Sequence, residues 1–322
     1  MLQLIVPDLG TADLTPALRA LLARSHRLDQ PAAGGLTEAL CQALGLAPPY
    51  PIAALCHAYD SGQAGNTGYW LRADPVYLHL NIDKLILGDP RHLALSMDEA
   101  LQLTASLNAH FQPDGLHFQA LAADRWYLRL VRPVAMSTTL LEAAIGRSIE
   151  TTLPQGEKAA LWRRYLNEAQ MVLHDHPVNQ AREARGIMPV NSIWFWGEGV
   201  AADVPTPEIS ALFADAPIAA ALARGMGIRH EKTPHGLVEL ERAVSIAADH
   251  IVVVLGAPRP PASGGDLSAS KTLPQHYENR WFAPLLKALQ YGRMAKLVLT
   301  GIGTPSFNAV ITRGDAWKLW RR

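Results

Sequence analysis

Strand-sized apolar runs stand at both ends of this chain, and a stretch of different character separates them. Leu2-Gln3-Leu4-Ile5-Val6 stops at Pro7-Asp8, and two further runs cover His250 to Leu255 and Lys296 to Thr300. Near-continuous apolar runs, rather than alternating ones, mark strands buried on both faces of a sheet. Helical stretches lie between them. Thr15-Pro16 opens one over Ala17 to Arg24, and further helices are expected over Leu36 to Leu46, Ile52 to Tyr59, Ile209 to Met226, Gly236 to Asp249 and Leu273 to Leu289. Proline suits the first helical position, where no N–H is needed. Strands alternating with helices at both ends predict an α/β fold with a mostly parallel sheet, flanked by helices and completed by distant segments.

The middle of the chain reads differently. Tyr69 to Arg72, Val76 to Asn81 and Trp126 to Val131 alternate as half-buried strands do. Ser96 followed by Asp98-Glu99 signals the start of a helix over Met97 to Phe111. An amphipathic helix is expected over Glu157 to His174, then an aromatic strand, Ser192 to Trp196, ended by Gly197-Glu198-Gly199. The expected organisation is a core in two segments, 1–68 and 200–322, around a smaller inserted α+β domain, 69–199.

Composition narrows the function classes. With 49% hydrophobic and 18% charged residues, the 322-residue chain is too apolar for disorder and has ample material for a core. Its formal net charge of +0 leaves no basic excess to neutralise phosphates, so nucleic acid is not an expected partner. No run spans a bilayer and the first residues lack a basic leader, so a cytoplasmic protein with no membrane contact is expected. Cys41 and Cys56 lack metal-site spacing and read as small apolar residues. No Gly-Lys-Ser/Thr phosphate loop, Gly-x-Ser-x-Gly elbow or dinucleotide fingerprint is present.

One ordered set of motifs carries a resemblance. His174-Asp175-His176-Pro177-Val178-Asn179, then Arg182, Gly186, Pro189-Val190-Asn191 and Ile193-Trp194-Phe195-Trp196-Gly197-Glu198-Gly199, resembles a signature of the archaeal-type cofactor-independent phosphoglycerate mutases. Within them it is most similar to the RpfE-type regulatory proteins. Asp74 to Asn81, Asp98-Glu99-Ala100 with Leu107-Asn108, and Lys271, Glu278 and Pro284-Leu285-Leu286 resemble further pieces in the same order. The resemblance implies an alkaline-phosphatase-like core, with two divalent cations held by Asp and His and a Ser nucleophile. At the positions it implies for those ligands stand Gly256-Ala257-Pro258, Gly301-Ile302 and, for a further His, Phe307-Asn308. Little room is left between Asp8 and Thr15 for the nucleophile segment. Two cations need several carboxylate or imidazole ligands, and Asp8 alone does not supply them. Asp8 stands as a vestigial metal candidate or an ordinary turn carboxylate. Asp249-His250 precedes its strand and so lies at the wrong end of the sheet.

The residues expected to hold a ligand are Arg72, Asn81, His176, Asn179, Arg182, Arg185 and Trp196. Arginines offer planar, bidentate contacts to an anion or carboxylate. The other reading makes the same residues, with His174 and Asn191, a hydrogen-bonded scaffold under the aromatic strand. Trp317 and Trp320 are an interaction tail or a final cap on the core. The expected function is that of a phosphoglycerate-mutase-like pseudoenzyme with no cofactor and no catalytic residues, regulating or binding an anionic metabolite or a protein partner. The alternatives are an active metal-dependent phosphomutase or phosphohydrolase, and a scaffold without ligand.

Overall fold

The computed structural model describes residues 1–9, 14–27, 33–63, 68–201, 204–205, 207–246, 249–256, 275–303 and 306–318. Its contacts divide the chain into two compact units, one of residues 1–46 with 205–322 and one of residues 47–204.

The first unit is built on a seven-stranded sheet. Its strands are β1 (Leu2–Pro7), β2 (His26–Arg27), β9 (Ala211–Phe213), β10 (Arg229–Glu231), β11 (Ile251–Val254), β12 (Lys296–Ile302) and β13 (Phe307–Thr312), in the order β10-β9-β11-β1-β12-β13-β2. The five from β10 to β12 run parallel, and β13 and β2 are antiparallel at one edge. The central position of β1 explains its composition: Leu2, Leu4, Ile5 and Val6 are wholly buried. Each contributes about 1.5–3 kcal/mol of burial, so a strand whose one polar position is Gln3 is stabilised best at the centre of the sheet.

Helix α1 (Pro16–Arg24) packs Leu18 and Leu21 into the core formed by one face of this sheet, with Leu237 and Leu240 of α9 (Leu237–Ala243) and Leu285 and Leu289 of a later helix, Ala283–Gln290. Helix α2 (Leu36–Ala43) lies against β1 and β12 and touches α8 (Pro217–Met226). The mostly parallel sheet flanked by helices is as expected.

Three expected helices differ. The segment over 209–226 opens with β9, because Ala211, Leu212 and Phe213 are buried between β10 and β11, and the helix starts only at Pro217. A three-residue apolar run is too short for periodicity to separate strand from helix. The helix expected over 236–249 ends at Ala243, where Val244 turns extended. In the third, residues 273–274 lie outside the described residues. Its turn Glu278–Phe282 is wound as a π-helix before Ala283–Gln290, where Pro284 has no N–H to give the Arg280 carbonyl.

The second unit carries an antiparallel sheet in the order β6-β7-β3-β8: β3 (Tyr69–Val76), β6 (Phe118–Ala122), β7 (Arg125–Leu130) and β8 (Ser192–Gly199). A separate hairpin of β4 (Leu78–Asn81) and β5 (Lys84–Leu87) turns through Ile82 and Asp83. Leu71, Ala73, Trp126, Leu128, Ile193 and Phe195 face a core shared with α4 (Met97–Phe111), α6 (Ala159–His174) and α7 (Pro177–Ala184). A short helix, α5 (Leu141–Ala144), precedes α6. Ser96 caps α4 with Glu99 in a reciprocal capping box. Helix α3 (Ile52–Asp60) packs on β3 and β8 from the opposite face, so contacts place it in this unit, whereas the sequence placed it in the core segment 1–68.

Cys41 and Cys56 are buried, and burial pushes the Cys56 thiol up to about 11. Among the described residues no helix is long and apolar enough to cross a membrane.

Candidate functional site

In an open parallel sheet ligands meet the carboxyl ends of the strands. At the end of β1, Asp8 is exposed and adopts a left-handed φ of 56°. At the end of β12, Gly301 pairs with Phe307 of β13, and the Phe307 ring lies over it: a Cβ at 301 would fall 2.3 Å from the ring. Asn308 is buried opposite Thr300 in the same pair of strands. At the end of β11 the Tyr277 hydroxyl donates to the Gly256 carbonyl, and the positions after Gly256 lie outside the described residues. Glu278 takes the Ala17 N–H at 2.7 Å and the Thr15 hydroxyl, so its carboxylate caps α1. Asp249-His250 does stand at the amino ends, where the Asp249 carbonyl accepts from the Met1 amine at 2.7 Å.

These donors do not fit a pair of divalent cations. Among the described residues no three His, Cys, Asp or Glu side chains are placed so that they could hold a metal ion. The undescribed stretch 257–274 contains one carboxylate, Asp266, and no His, Cys or Glu. Hard cations need several such ligands each.

The residues expected to hold a ligand fall on two sides of the second unit's sheet. Side chains alternate along β3, so Arg72 and Asp74 point away from the core that takes Leu71 and Ala73. Arg72 gives Asp74 two hydrogen bonds, at 2.9 and 2.8 Å, and its guanidinium lies 4.9 Å from the Tyr127 ring centre and 5.1 Å from that of Trp196. Asp74 also accepts from Trp196 Nε1 at 2.8 Å and the Trp126 N–H at 3.1 Å. Burial works against the Arg72 charge, yet Asp74 holds its pKa well above the ordinary value. Burial raises Asp74 against the pull of Arg72. Alongside, Asp60 of α3 accepts from Arg125 at 2.8 Å and from the Tyr127 hydroxyl at 2.5 Å. Burial opposes its charge, but these two donors hold its carboxyl below the ordinary range.

Arg182 and Asn179 lie on the other side. Arg182 donates to the Met188 carbonyl at 2.9 Å, the Leu93 carbonyl, and Glu99 at 2.9 Å. Asn179 donates to the Leu173 and Val190 carbonyls, both at 2.7 Å, and accepts from the Val190 N–H. Asn191 bonds both backbone groups of Leu78. Arg185, Asn81 and His174 are exposed. The fold therefore does not gather the expected set into one pocket, and its buried members already have partners.

His176 makes a contact that invites a catalytic reading: its Nε2 lies 2.9 Å from Ser106 Oγ. Its Nδ1, however, accepts the Val178 N–H at 3.2 Å and caps α7, so in the neutral ring the proton sits on Nε2. A ring in that tautomer donates to the serine and is no base for it. The sequence reading missed Asp74, Asp60, Tyr127 and Arg125. The spacing of Arg72 and Asp74, two apart on one strand, was the available signal for the first. Of the terminal tryptophans, half-exposed Trp317 donates to the Gln290 carbonyl at 3.2 Å, and Trp320 lies outside the described residues.

Comparison with known proteins gives these residues a setting. Residues 65–179 match the family model of 2,3-bisphosphoglycerate-independent phosphoglycerate mutase. The 2,3-bisphosphoglycerate-independent phosphoglycerate mutase of Methanothrix thermoacetophila is 28% identical over 170 residues, 48% of this chain and 43% of that protein. A probable enzyme of the same name from Geobacter sulfurreducens is 27% identical over 160 residues, 45% of this chain and 40% of its own length. The matches thus span less than half of these curated relatives. A Pyrococcus horikoshii protein of known structure superposes with a TM-score of 0.51 at 15% identity, covering 97% of this chain and 86% of that one, which supports the fold alone. Over residues 65–179, within its second unit, the chain is similar to the 2,3-bisphosphoglycerate-independent phosphoglycerate mutases.

Proposed function

We propose that this phosphoglycerate-mutase-like chain works by binding a partner, in a regulatory role akin to that of the RpfE-type proteins, and not by two-metal phosphoryl transfer. The observation that carries the proposal is the end of β12, where Gly301 has no side chain and the Phe307 ring fills the space above it. Phosphoryl transfer without covalent help depends on cations that neutralise the phosphate and activate the nucleophile. A glycine under an aromatic ring supplies neither a ligand nor room for one.

The location of the likeness supports the same view. The family match, 65–179, lies within the second unit, whereas the strand ends that would hold metal lie in the first. A protein partner is favoured over an anionic metabolite, because Arg72 and Arg182 are buried and already paired with Asp74 and Glu99. The second reading, an active mutase, draws on the names of the curated relatives.

The test is metal analysis after soaking the protein in manganese, with a turnover assay on 3-phosphoglycerate. Metal at background and no turnover is the expected result. About two tightly held equivalents with manganese-dependent turnover would overturn the proposal.

A further inference from the structure

The β4–β5 hairpin has an unfinished edge. In a hairpin with a two-residue turn, the pair next to the turn is hydrogen-bonded and successive pairs alternate. Asn81 with Lys84 and His79 with Ile86 are then the bonded pairs, and Leu78 and Leu80 turn their N–H and C=O groups outward. The flanking bonds agree. Leu87, opposite Leu78, also points away from its partner, giving its N–H to the Arg147 carbonyl at 3.2 Å and taking the Gly146 N–H at 2.8 Å.

The outward groups of Leu78 are satisfied by one side chain. Asn191 Oδ1 accepts the Leu78 N–H and Asn191 Nδ2 donates to the Leu78 carbonyl, each at 2.8 Å. An amide placed so stands in for a strand's peptide group. It also continues a line: β8 pairs with β3 up to Ser192 opposite Val76, and Asn191 adds one more step. The next step, at Leu80, has no hydrogen-bond partner among the described residues, and Leu80 is 70% exposed.

Beside this edge lies a cavity of about 560 Å³, with Leu78, Leu85 and Met171 on its apolar side and Asn167, Gln170, His174, Asp175 and Asn191 on its polar side. Leu78, Leu80 and Leu85 share one face of the hairpin, and Met171 of α6 is 77% exposed across from it. His79 and Asn81 are on the opposite face. A residue paired with Leu80 from outside would send its side chain to the Leu80 face, and so into the cavity.

We propose that this groove binds an extended peptide segment of a partner protein, which adds a strand to β4 at Leu80 and buries one large apolar side chain against Leu78, Leu85 and Met171. The occupant follows from the chemistry: a donor and acceptor on one residue, in line with an existing strand, match a peptide backbone. This gives the binding role proposed above a place and an occupant. Metal content, which tests that role, leaves the groove untested, so the two fail separately.

The experiment is selection of phage-displayed random dodecapeptides on the full chain, followed by binding of the synthetic winners by fluorescence anisotropy. Winners should share a large apolar residue. L80P removes the outward N–H without touching the β4–β5 bonds, a substitution tolerated on a strand edge. It should weaken binding about tenfold, the value of one lost hydrogen bond with its neighbour's disturbance. M171E, on an exposed helix position, should weaken it comparably by charging the cavity wall. Exchange of the Leu80 amide should slow when peptide is bound. No selected peptide, or binding indifferent to M171E and L80P, overturns the proposal. Self-association lost in L80P, without peptide binding, overturns it in favour of a second copy at this edge.

Discussion

The buried pair beneath α3 allows a quantitative test. Arg72 is 4% exposed and Asp74 1%, and they share two hydrogen bonds between the rings of Tyr127 and Trp196. D74L leaves a guanidinium buried without its carboxylate and strands the Trp196 Nε1 and Trp126 donors, costing about 3–5 kcal/mol. R72M is milder, about 2–3 kcal/mol, because Asp74 keeps those two donors and can take a proton. The double variant removes both charges and leaves only two orphaned N–H groups, costing about 1–3 kcal/mol. The singles therefore sum to about 5–8 kcal/mol against about 1–3 kcal/mol for the double, a coupling of about 4–5 kcal/mol at the centre of those ranges. Urea unfolding followed by tryptophan fluorescence reads this well, since five of the eight tryptophans (70, 126, 162, 194 and 196) lie in the second unit. Additivity within about 0.5 kcal/mol would refute the account of a mutually dependent ion pair.

Three further outcomes follow from the same geometry. R182M should destabilise by about 3–5 kcal/mol, since Glu99 and two carbonyls lose their partner, while R185M at an exposed position stays within about 0.5 kcal/mol; equal effects in urea melts would refute the bracing role of Arg182. Burial lowers the pKa of His57, His176 and His250 in the folded chain. The unfolded chain then binds more protons below about pH 6.5, so the urea midpoint should fall as pH drops from about 7.5 to 5.5, and H176N, which keeps a cap but cannot titrate, should flatten part of the slope; a flat or rising midpoint refutes this. G301A should cost about 1–2 kcal/mol against the Phe307 ring. F307A should relieve most of that added cost, and a G301A penalty unchanged in the F307A background would show that the ring does not fill the space.

Much of the fold was legible because burial pattern and period carry it. β1, β11 and β12 announce themselves as near-continuous apolar runs, and Ser96 with Glu99 fixes the start of α4. β9 and β10 escaped because three-residue strands are defined by neighbours across the sheet rather than by their own sequence. The site was less legible. Arg182 and Asn179 looked like a ligand set because their residue types suit anions, but a sequence does not show that Leu93, Met188 and Val190 bring carbonyls to them. Asp60 meets Arg125 and Tyr127 from more than sixty positions away, a pairing no local pattern encodes.

The signature between His174 and Gly199 can be weighed by what its side chains do. Asn179 closes the α7–β8 connection through Leu173 and Val190, Asn191 secures Leu78, and Arg182 ties α7 to α4 through Glu99. Gly197, at φ 70°, sits where a Cβ would press on Ile52, and Gly199, at φ 153°, where one would meet Pro51 at 2.7 Å. Each serves the internal structure of this unit, through a buried hydrogen bond or a close backbone approach. A likeness resting on such residues reports a shared scaffold, and it holds equally for an enzyme and for a binding protein. The two readings make different demands on the strand ends of the first unit, with Asp8, Gly301 and Phe307, so metal analysis weighs more than any further likeness in residues 65–179.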